Sequence, residues 1–526
     1  MKKNLRVLSL ALVAIMLVSF GAACQQSSTS SSTAPASSVA STPAGSSGAA
    51  APETEAPYEM SVYITDFTTT QGWDPDSQVA KDIEALTNTK VEYIWVPNAE
   101  YDDKLSAALA AGNLPTAMLH KDMTNMAIPN AIRAGAFWEV GPYLHEYEYL
   151  SQASEIILNN ISIDGKVYGV YRSRDLGRLG LAMRSDWLKN LGLEKPKNVD
   201  ELYDTLVKFT KNDPDQNGQN DTWGLHFCVY TGAMDTIATY FGAPNKWGVY
   251  DGKVVPAHMT QEYFDSMVWL KNLYNEGAIN QDFATLPSDK WRDALRSGFA
   301  GARSDTMDDA VGYQDWMVAN ADRDPDDIVW TVIPTVAGPD GVERALATSG
   351  HAGYFAISKD ATNNSEDELR RVLYFFDRLN TEEGQTLTMA GIEGLTYWRD
   401  DEGKRMPLTA EQQPIVDKLY HSLGQLTIGI PNRMELDAPS KVREEYFVAR
   451  AYNDKIVVGN PCEPLLSQTA ITKGSQLLKI YDDARVQFIC GLIDEAGWEA
   501  AKDTWLKQGG QDIINETQAL YDALPK

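Results

Sequence analysis

The segment KNDPDQNGQNDTWG, residues 211–224, carries oxygen-bearing side chains at the spacing of an EF-hand calcium loop. Gly218 occupies the position of the sharp turn in that pattern. Three of the side chains are carboxylates, which repel one another when they converge unless a cation lies between them. A tightly wound loop of this kind favours Ca²⁺ over Mg²⁺ as the bound ion. The residues predicted to coordinate it through side-chain or backbone oxygens are Asp213, Asp215, Asn217, Gln219 and Asp221.

The loop lacks the glutamate that closes most EF-hands, because the last position of the pattern is Gly224. The sequence shows no second EF-hand pattern with which a calcium sensor would pair. We therefore expect a structural Ca²⁺ that holds the turn before a strand starting at Trp223, and not a calcium switch. The alternative is a metal-free turn in which Asp and Asn side chains bond to the local backbone.

A helix is expected to lead into this loop. Residues 198–209, NVDELYDTLVKF, begin with a capping signal, because Asn198 can cap the first turn and Glu201 follows three residues later. The apolar residues that repeat at helical spacing are Val199, Leu202, Leu206 and Phe209. The helix therefore has one apolar face with which to pack against a core.

Alternating strand and helix patterns begin the folded part of the chain. Residues 60–65 and 91–96 are rich in β-branched and aromatic side chains, and the intervening residues 76–86 have helical periodicity. A second helical pattern at residues 101–111 precedes a short apolar run at 115–119. This order predicts an α/β fold in which mostly parallel sheets are covered by helices.

The loops after the predicted strands are candidate ligand-binding segments, because ligands of open α/β sheets bind beyond the carboxyl ends of the strands. Residues 66–73 are rich in hydroxyl groups and close with Trp73, and residues 120–124 are also polar. Solvated connections, with Trp73 packed on the core, are the alternative interpretation.

Length and charge narrow the class of protein. A chain of 526 residues exceeds what one hydrophobic core usually serves, so we expect two lobes. The formal net charge of −27 argues against a nucleic acid or an anionic lipid surface as a partner, because both require clustered Lys and Arg.

The N-terminus has the pattern of an export signal. A basic segment, residues 2–6, precedes an apolar run at 7–20 and then small residues before Cys24. This resembles a bacterial lipoprotein signal, in which the thiol of the cysteine receives a lipid anchor, although Gly21 stands where Leu is typical. An uncleaved anchor helix and a secretory signal cut near Ala23 are the alternatives. All three interpretations place the folded part outside the cytoplasm, and the first places it on the outer face of the cell membrane.

Residues 25–56 form a Ser/Ala/Thr/Pro tract with almost no large apolar side chain. Such a composition cannot offset the entropy of ordering, so we expect a disordered tether. The domain organisation predicted from these features is a signal and lipidation cysteine at 1–24, a linker at 25–56 and a two-lobed domain at 57–526.

A series of short segments, in this order and spacing, resembles the family 1 extracellular solute-binding proteins of ABC importers, in particular their large oligosaccharide-binding lipoproteins. The segments are IDGKVYG at 163–169, MRSDWL at 183–188, LGL at 191–193, the loop at 211–224 and GIEGLTYW at 391–398.

The resemblance implies a type II periplasmic-binding-protein-like fold whose two lobes close on a ligand by a hinge motion, with additional C-terminal helices. It implies a first lobe of residues 57–175 with a returning segment near 346–395, and a second lobe of residues 176–345 with the C-terminal helices. It also implies a monomer whose partners are a carbohydrate ligand and the permease subunits of an ABC importer. In related alginate-oligosaccharide-binding proteins an equivalent loop holds calcium.

The candidate ligand-binding residues follow from sugar chemistry, which requires aromatic faces for C–H surfaces and planar polar groups for hydroxyls. Arg174 follows an expected crossing between the lobes, where it would pair with the carboxylate of an acidic sugar. A salt bridge to Asp175 or Glu393 is the alternative role of Arg174. The full set of candidates is Asp66, Trp73, His120, Tyr171, Arg174, Trp247, Trp316, Ser349, Glu393, Tyr397 and Trp398.

Enzymatic function is not predicted. The sequence has no GxSxG elbow, HExxH motif, glycine-rich phosphate loop or CxxC pair. An exported carbohydrate-active enzyme remains an alternative, because a glycosidase needs only two carboxylates. A sensory lipoprotein that uses the same cleft to signal is a second alternative.

Overall fold

The computed structural model describes most of the chain beyond the predicted signal and linker. Cys24 lies outside the described residues. Within them, no helix is long and apolar enough to cross a membrane. The described ranges are 56–67, 72–123, 125–320, 327–401, 403, 405–406, 408–436 and 439–524.

The strands form where β-branched and aromatic residues cluster, and many of them are buried on both faces. In the first strand, for example, Val62 and Ile64 are fully buried. The strands are β1 (Tyr58–Asp66), β2 (Thr89–Pro97), β3 (Ala117–His120), β4 (Gly169–Ser173), β5 (Leu179–Arg184), β6 (Trp223–Leu225), β7 (Trp247–Tyr250), β8 (Lys253–Pro256), β9 (Ala300–Thr306), β10 (Trp330–Ile333), β11 (Ala345–Leu346), β12 (His351–Ile357) and β13 (Val457–Val458).

The helices are placed by capping residues and amphipathic faces, and several of them begin at a Ser, Thr or Asn cap. They are α1 (Gln78–Thr87), α2 (Tyr101–Ala111), α3 (Ala127–Arg133), α4 (Glu155–Asn160), α5 (Ser185–Asn190), α6 (Val199–Lys211), α7 (Ala233–Tyr240), α8 (Gln261–Asn275), α9 (Asp293–Arg296), α10 (Asp309–Asn320), α11 (Glu366–Arg378), α12 (Glu382–Met389), α13 (Gln413–Leu419), α14 (Lys441–Asn453), α15 (Gln468–Ile489), α16 (Glu495–Trp505) and α17 (Gln511–Asp522).

The first sheet has the strand order β2-β1-β3-β12-β4. Strand β1 runs parallel to β2 and β3, whereas β12 runs antiparallel to both β3 and β4. The βαβ unit predicted from residues 60–96 is therefore present. Strand β12 enters the sheet from a distant part of the chain, and the half of the sheet around it is antiparallel.

The second sheet has the order β10-β5-β9-β6. Strand β5 is antiparallel to both β10 and β9, and only the β6–β9 pair is parallel. The α/β fold class is confirmed, but the expectation of mostly parallel sheets is wrong. The central strand β5 follows a crossing from the first sheet rather than a helical crossover, which removes the constraint that makes βαβ sheets parallel.

Each sheet has its own core. Helix α6 begins as predicted, because Asn198 Oδ1 accepts from the amide of Glu201 at 2.9 Å. It packs Phe209 edge-to-face on Trp187, with ring centroids 5.3 Å apart. A Cβ atom at Gly301 of β9 would lie 2.3 Å from the Phe209 ring, so only glycine allows the helix to approach the sheet this closely.

Two of the described chain segments connect the two sheets, residues 174–178 and residues 347–350, and a third segment, residues 453–458, is hydrogen-bonded beside them. They are bonded to one another, since the amide of Thr348 donates to the Leu176 carbonyl at 3.0 Å. The short pair β11–β13 joins the second and third segments. The connections therefore form one hydrogen-bonded bundle between the sheets.

Candidate ligand-binding site

One edge of the first sheet collects several of the predicted residues. Strands β1 and β3 are parallel and end at Asp66 and His120 on that edge. Strand β12 begins there, because Tyr354 pairs with His120, and β4 ends there, because Ser173 pairs with His351. The carboxyl ends of the strands and the crossing segments thus share this edge.

The second sheet turns an edge toward the same crossing segments. Strand β9 ends at Thr306, which pairs with Leu179 at the beginning of β5. Between the two sheets lies a cavity of about 330 Å³. Asn160 and Ser349 line it on the side of the first sheet, whereas Tyr230, Asp305 and Thr306 line it on the side of the second.

A larger cavity of about 650 Å³ shares Tyr230 and Lys246 with the first one. Its wall is mostly aromatic and apolar and includes Trp247 of the β7–β8 hairpin. His258 lies in this wall, stacked on Tyr481 at 4.2 Å between ring centroids. The two cavities together offer an apolar, aromatic surface beside a polar edge, which is what a sugar ring requires.

Buried polar atoms without a protein partner mark the edge of the first sheet. Among the described residues, Arg172 Nε, His120 Nδ1 and His351 Nε2 are buried and accept or donate no hydrogen bond within the protein. The Nδ1 atom of His351 accepts from the amide of Gly353 at 3.1 Å, so its Nε2 atom is the donor in the neutral ring. Since buried polar atoms are rarely left unpaired, these atoms are candidate contacts for ligand hydroxyl or carboxylate groups.

Both histidines are neutral at pH 7. Burial lowers the pKa of His120 to about 4, and nearby Asp122 only partly opposes it. Burial likewise lowers the pKa of His351 to about 4. Neutral imidazole rings can donate and accept hydrogen bonds without adding charge to the cleft.

Arg174 has neither of the alternative partners considered from the sequence. Asp175 accepts from the Tyr446 hydroxyl at 2.7 Å and pairs with Arg450 at 3.0 Å. Glu393 pairs instead with Arg399 at 3.5 Å. The side chain of Arg174 is exposed, and no carboxylate of the described residues pairs with it.

Asp66 and Trp73 lie beside a separate cavity of about 860 Å³. Asp66 accepts from the Ser422 hydroxyl at 2.7 Å and pairs with His421 at 3.1 Å. Trp73 packs edge-on against Trp95, whose ring lies 4.7 Å from that of His421. His421 and Ser422 line this cavity together with Tyr397.

Other predicted residues serve packing or lie elsewhere. The ring of Tyr171 is 1% exposed, and its hydroxyl accepts from the amide of Ser154 at 3.1 Å, so it is a core residue. Trp316 packs on the core of the second sheet, beside Arg296 at 6.0 Å. Trp398 is half-buried, and its carbonyl accepts from the amide of Met406. The structure does not bring these side chains to the cavity between the sheets.

The predicted calcium loop is folded around Asp213 and Asn217. The two carboxylate oxygens of Asp213 accept from the amides of Asn217 and Gly218, each at 3.0 Å. The side-chain amide of Asn217 donates to Asp215 at 3.0 Å and to Asp221 at 3.2 Å. In the described part of the chain, no three Asp, Glu, His or Cys side chains are grouped closely enough to hold a metal ion.

The donor set nevertheless suits a hard cation. Asp215 Oδ1 is buried and has no protein partner among the described residues. Burial and a hydrogen bond with Asp213 raise the pKa of Asp215. The hydrogen bonds present are those of the metal-free alternative, and rotation of the Asn217 amide would turn its oxygen toward the carboxylates.

The comparison with protein families decides the class of protein. A model of the bacterial extracellular solute-binding protein family matches residues 74–386. The chain belongs to this family. This solute-binding protein is therefore a binding protein and not an enzyme.

Two curated relatives of this solute-binding protein come from Bacillus subtilis (strain 168). Lipoprotein LipO is 38% identical over 450 residues, which cover 84% of this chain and 88% of that protein. Polygalacturonan/rhamnogalacturonan-binding protein YtcQ is 37% identical over 452 residues, which cover 85% and 88%. Both relatives match nearly the whole folded part.

The fold of this solute-binding protein is shared with solved structures. The extracellular solute-binding protein from Bifidobacterium longum subsp. infantis aligns with a TM-score of 0.63 at 18% identity. The alignment covers 89% of this chain and 99% of that one. At this level of identity the likeness establishes the fold alone.

Sequence reasoning missed Tyr230, which lines both cavities, and it missed His351 and Arg172, whose buried nitrogen atoms have no protein partner at the edge of the first sheet. Tyr230 is 49% exposed in a loop beyond β6, a context in which an exposed aromatic residue was a usable signal. His351 and Arg172 carried no local pattern that distinguishes them from other strand residues.

Proposed function

We propose that this chain is the lipid-anchored receptor of an ABC importer and that its ligand is an oligosaccharide. The observation that carries the proposal is the cavity between two sheets whose crossing segments are hydrogen-bonded to one another. Such an arrangement lets two rigid bodies close around a guest and release it unchanged. A relative named for binding polygalacturonan and rhamnogalacturonan, 37% identical over most of the chain, supports a polysaccharide-derived ligand.

Titration with oligosaccharides tests this proposal. Tyr230 lines the cleft and lies 6.0 Å from Trp291, between ring centroids, so a ligand in the cleft is expected to change the intrinsic fluorescence. Saturable changes with one class of oligosaccharide, confirmed by calorimetry, support the proposal. A neutral and acidic oligosaccharide panel that produces no binding at millimolar concentration contradicts it.

The anchor is the second part of the proposal. Acylation of Cys24 would hold the binding domain at the outer face of the membrane on the tether of residues 25–56. The lipoprotein name of one relative supports this assignment. Mass spectrometry of the membrane-extracted protein is expected to find a diacylated N-terminal Cys24, and a soluble product cut elsewhere would contradict it.

We further propose that the loop at residues 213–221 binds a structural Ca²⁺. The support is its set of oxygen donors and the unpaired buried oxygen of Asp215. The protein is proposed to act as a monomer, since one cleft and one hinge suffice for loading a permease. Light scattering with and without ligand checks the oligomeric state.

A further inference from the structure

Three arginine residues, Arg172, Arg174 and Arg433, lie near the end of β4, at the edge of the first sheet that borders the crossing segments. Arg172 and Arg174 flank the last residue of β4, and Arg172 Nη1 donates to the Ala352 carbonyl at 3.2 Å. The amide of Ser173, between them, donates to the Ile428 carbonyl at 2.7 Å. The turn that begins at Ile428 is therefore held against the end of β4.

This turn presents the third arginine. A Cβ atom at Gly429 would lie 2.4 Å from Cγ of Arg433, so the turn is folded back with the Arg433 stem over Gly429. The positive φ of Gly429, 71°, allows that reversal. Arg433 thus approaches the β4 end from a segment more than 250 residues away in sequence.

The positive charges of these arginines act on one another's pKa values. Burial lowers the pKa of Arg172 to about 10, and the positive charges of Arg433 and Arg174 add to the effect. Although Arg174 is exposed at the surface, partial burial of its guanidinium group lowers its pKa, with further contributions from Arg178 and Arg433. The cluster concentrates positive charge in a protein whose formal net charge is −27.

The neighbouring carboxylates form ion pairs with other arginine side chains. Asp308 forms a two-point ion pair with Arg178 at 2.9 and 2.8 Å, and Asp175 is held by Tyr446 and Arg450. Among the described residues, no carboxylate pairs with Arg172, Arg174 or Arg433. Unpaired cations in a partly desolvated cleft are costly, and a bound anion offsets that cost.

We propose that Arg172, Arg174 and Arg433 form a subsite for a carboxylate of the ligand. The inference rests on the proposed function and refines it, because it assigns the ligand to acidic, uronate-containing oligosaccharides. A planar guanidinium group bonds both oxygens of a carboxylate, and the unpaired Nε atom of Arg172 and Nε2 atom of His351 are further donors at the same edge. The aromatic cavity around Trp247 then receives neighbouring sugar rings of the same oligosaccharide.

Calorimetry with matched ligands tests the subsite. The ligands are trigalacturonate, its methyl ester, which has the same rings without the charge, and neutral galactotriose. We expect the wild-type protein to bind the acid at least about tenfold more tightly than the ester, as hydrogen bonds to a charged group imply. Arg174→Gln and Arg433→Gln are each expected to weaken binding of the acid about tenfold or more, and that of the ester less than about twofold.

Lys90→Gln is the matched control, because it removes one positive charge at the beginning of β2, at the opposite edge of the same sheet. It is expected to leave all affinities unchanged. Melting temperatures of the variants verify that each is folded; both Arg174 and Arg433 are exposed, so their replacement removes no core contact.

Two results overturn the subsite while leaving the proposed function intact. One is equal or tighter wild-type binding of the ester or the neutral oligosaccharide. The other is unchanged selectivity for the acid in both arginine variants. If none of the three ligands, nor any other oligosaccharide of the panel, binds the wild-type protein, the proposed function fails together with the subsite.

Discussion

Asn453 donates from its fully buried side-chain amide to the carbonyl oxygen of Gly177, which lies 276 residues earlier in the chain. The same amide approaches the carbonyls of Leu179 and Pro334 at 3.0 Å each. The next residue, Asp454, accepts from the amide of Gly177 at 2.8 Å. The end of α14 and the residue after it therefore hold the segment in which the chain passes from the first sheet to the second.

Replacing Asn453 should weaken this junction. Asn453→Ala leaves three buried carbonyl oxygens with fewer donors, which costs about 1–3 kcal/mol in the free energy of unfolding. We expect a lower urea midpoint by equilibrium denaturation. Asn515→Ala, on the exposed face of α17, is the control and should change the midpoint little. Equal stability of the two variants would contradict the role assigned to Asn453.

Trp247 should contribute to ligand affinity. Trp247→Ala removes an aromatic face from the larger cavity, and loss of one stacking contact of about 0.5–1.5 kcal/mol or more is expected to weaken binding several-fold. Tyr250→Ala, in the same hairpin but 47% exposed, is the control. Calorimetry distinguishes the two. Comparable losses of ligand affinity in both variants would indicate that the substitutions act by disturbing the hairpin and not by removing a contact between Trp247 and the ligand.

Removal of calcium should destabilise the protein without abolishing binding. EDTA is expected to lower the melting temperature by about 2 °C or more, because a ligand that binds only the folded state stabilises it. Asp215→Asn should remove the sensitivity to EDTA. Asp503→Asn, on the exposed surface of α16, should retain it. An identical melting temperature with and without EDTA in the wild type would eliminate the calcium proposal.

His258 should make stability depend on pH. Burial, with help from Lys502 and Arg485, lowers the pKa of His258 to about 3, against an ordinary value of 6.5. Between these values the unfolded chain binds a proton that the folded chain excludes, so this group's contribution to stability falls as the pH drops from about 6.5 toward 3.

Comparison with a variant isolates that contribution from the other titrating groups. Wild type should lose more unfolding free energy than His258→Asn between pH 7 and pH 4.5. The difference cannot exceed about 1.4 kcal/mol per pH unit for one proton. Denaturant titrations at both pH values provide the measurement, and parallel losses would show that the imidazole does not titrate in this way.

The sequence was informative wherever the signal is local. Three of the predictions depended only on neighbouring residues: the cap at Asn198, the bounds of α2 and the loop after α6. The structure has each of these elements where it was predicted. The family resemblance supplied the two-sheet architecture. The antiparallel pairing around β5 was not predictable, because strand direction depends on where a crossing segment enters the sheet.

The cleft residues required tertiary information. Arg172 and Arg433 meet through a turn whose position depends on the Ser173–Ile428 hydrogen bond, and no periodicity links the two segments. His421 and Ser422 reach Asp66 across more than 350 residues. Conversely, Tyr171 is of a residue type that commonly contacts sugars, but its side chain is buried in the core.

The position of β12 has a consequence for biogenesis. This strand lies between β3 and β4, yet it follows the whole second sheet in the sequence. In a chain delivered from its N-terminus, the edges of β3 and β4 that pair with β12 stay unpaired until residue 357 has been delivered. A protein that ended after the second sheet would expose the two strand edges that β12 covers, so the first sheet is completed only after the whole second sheet has been synthesised.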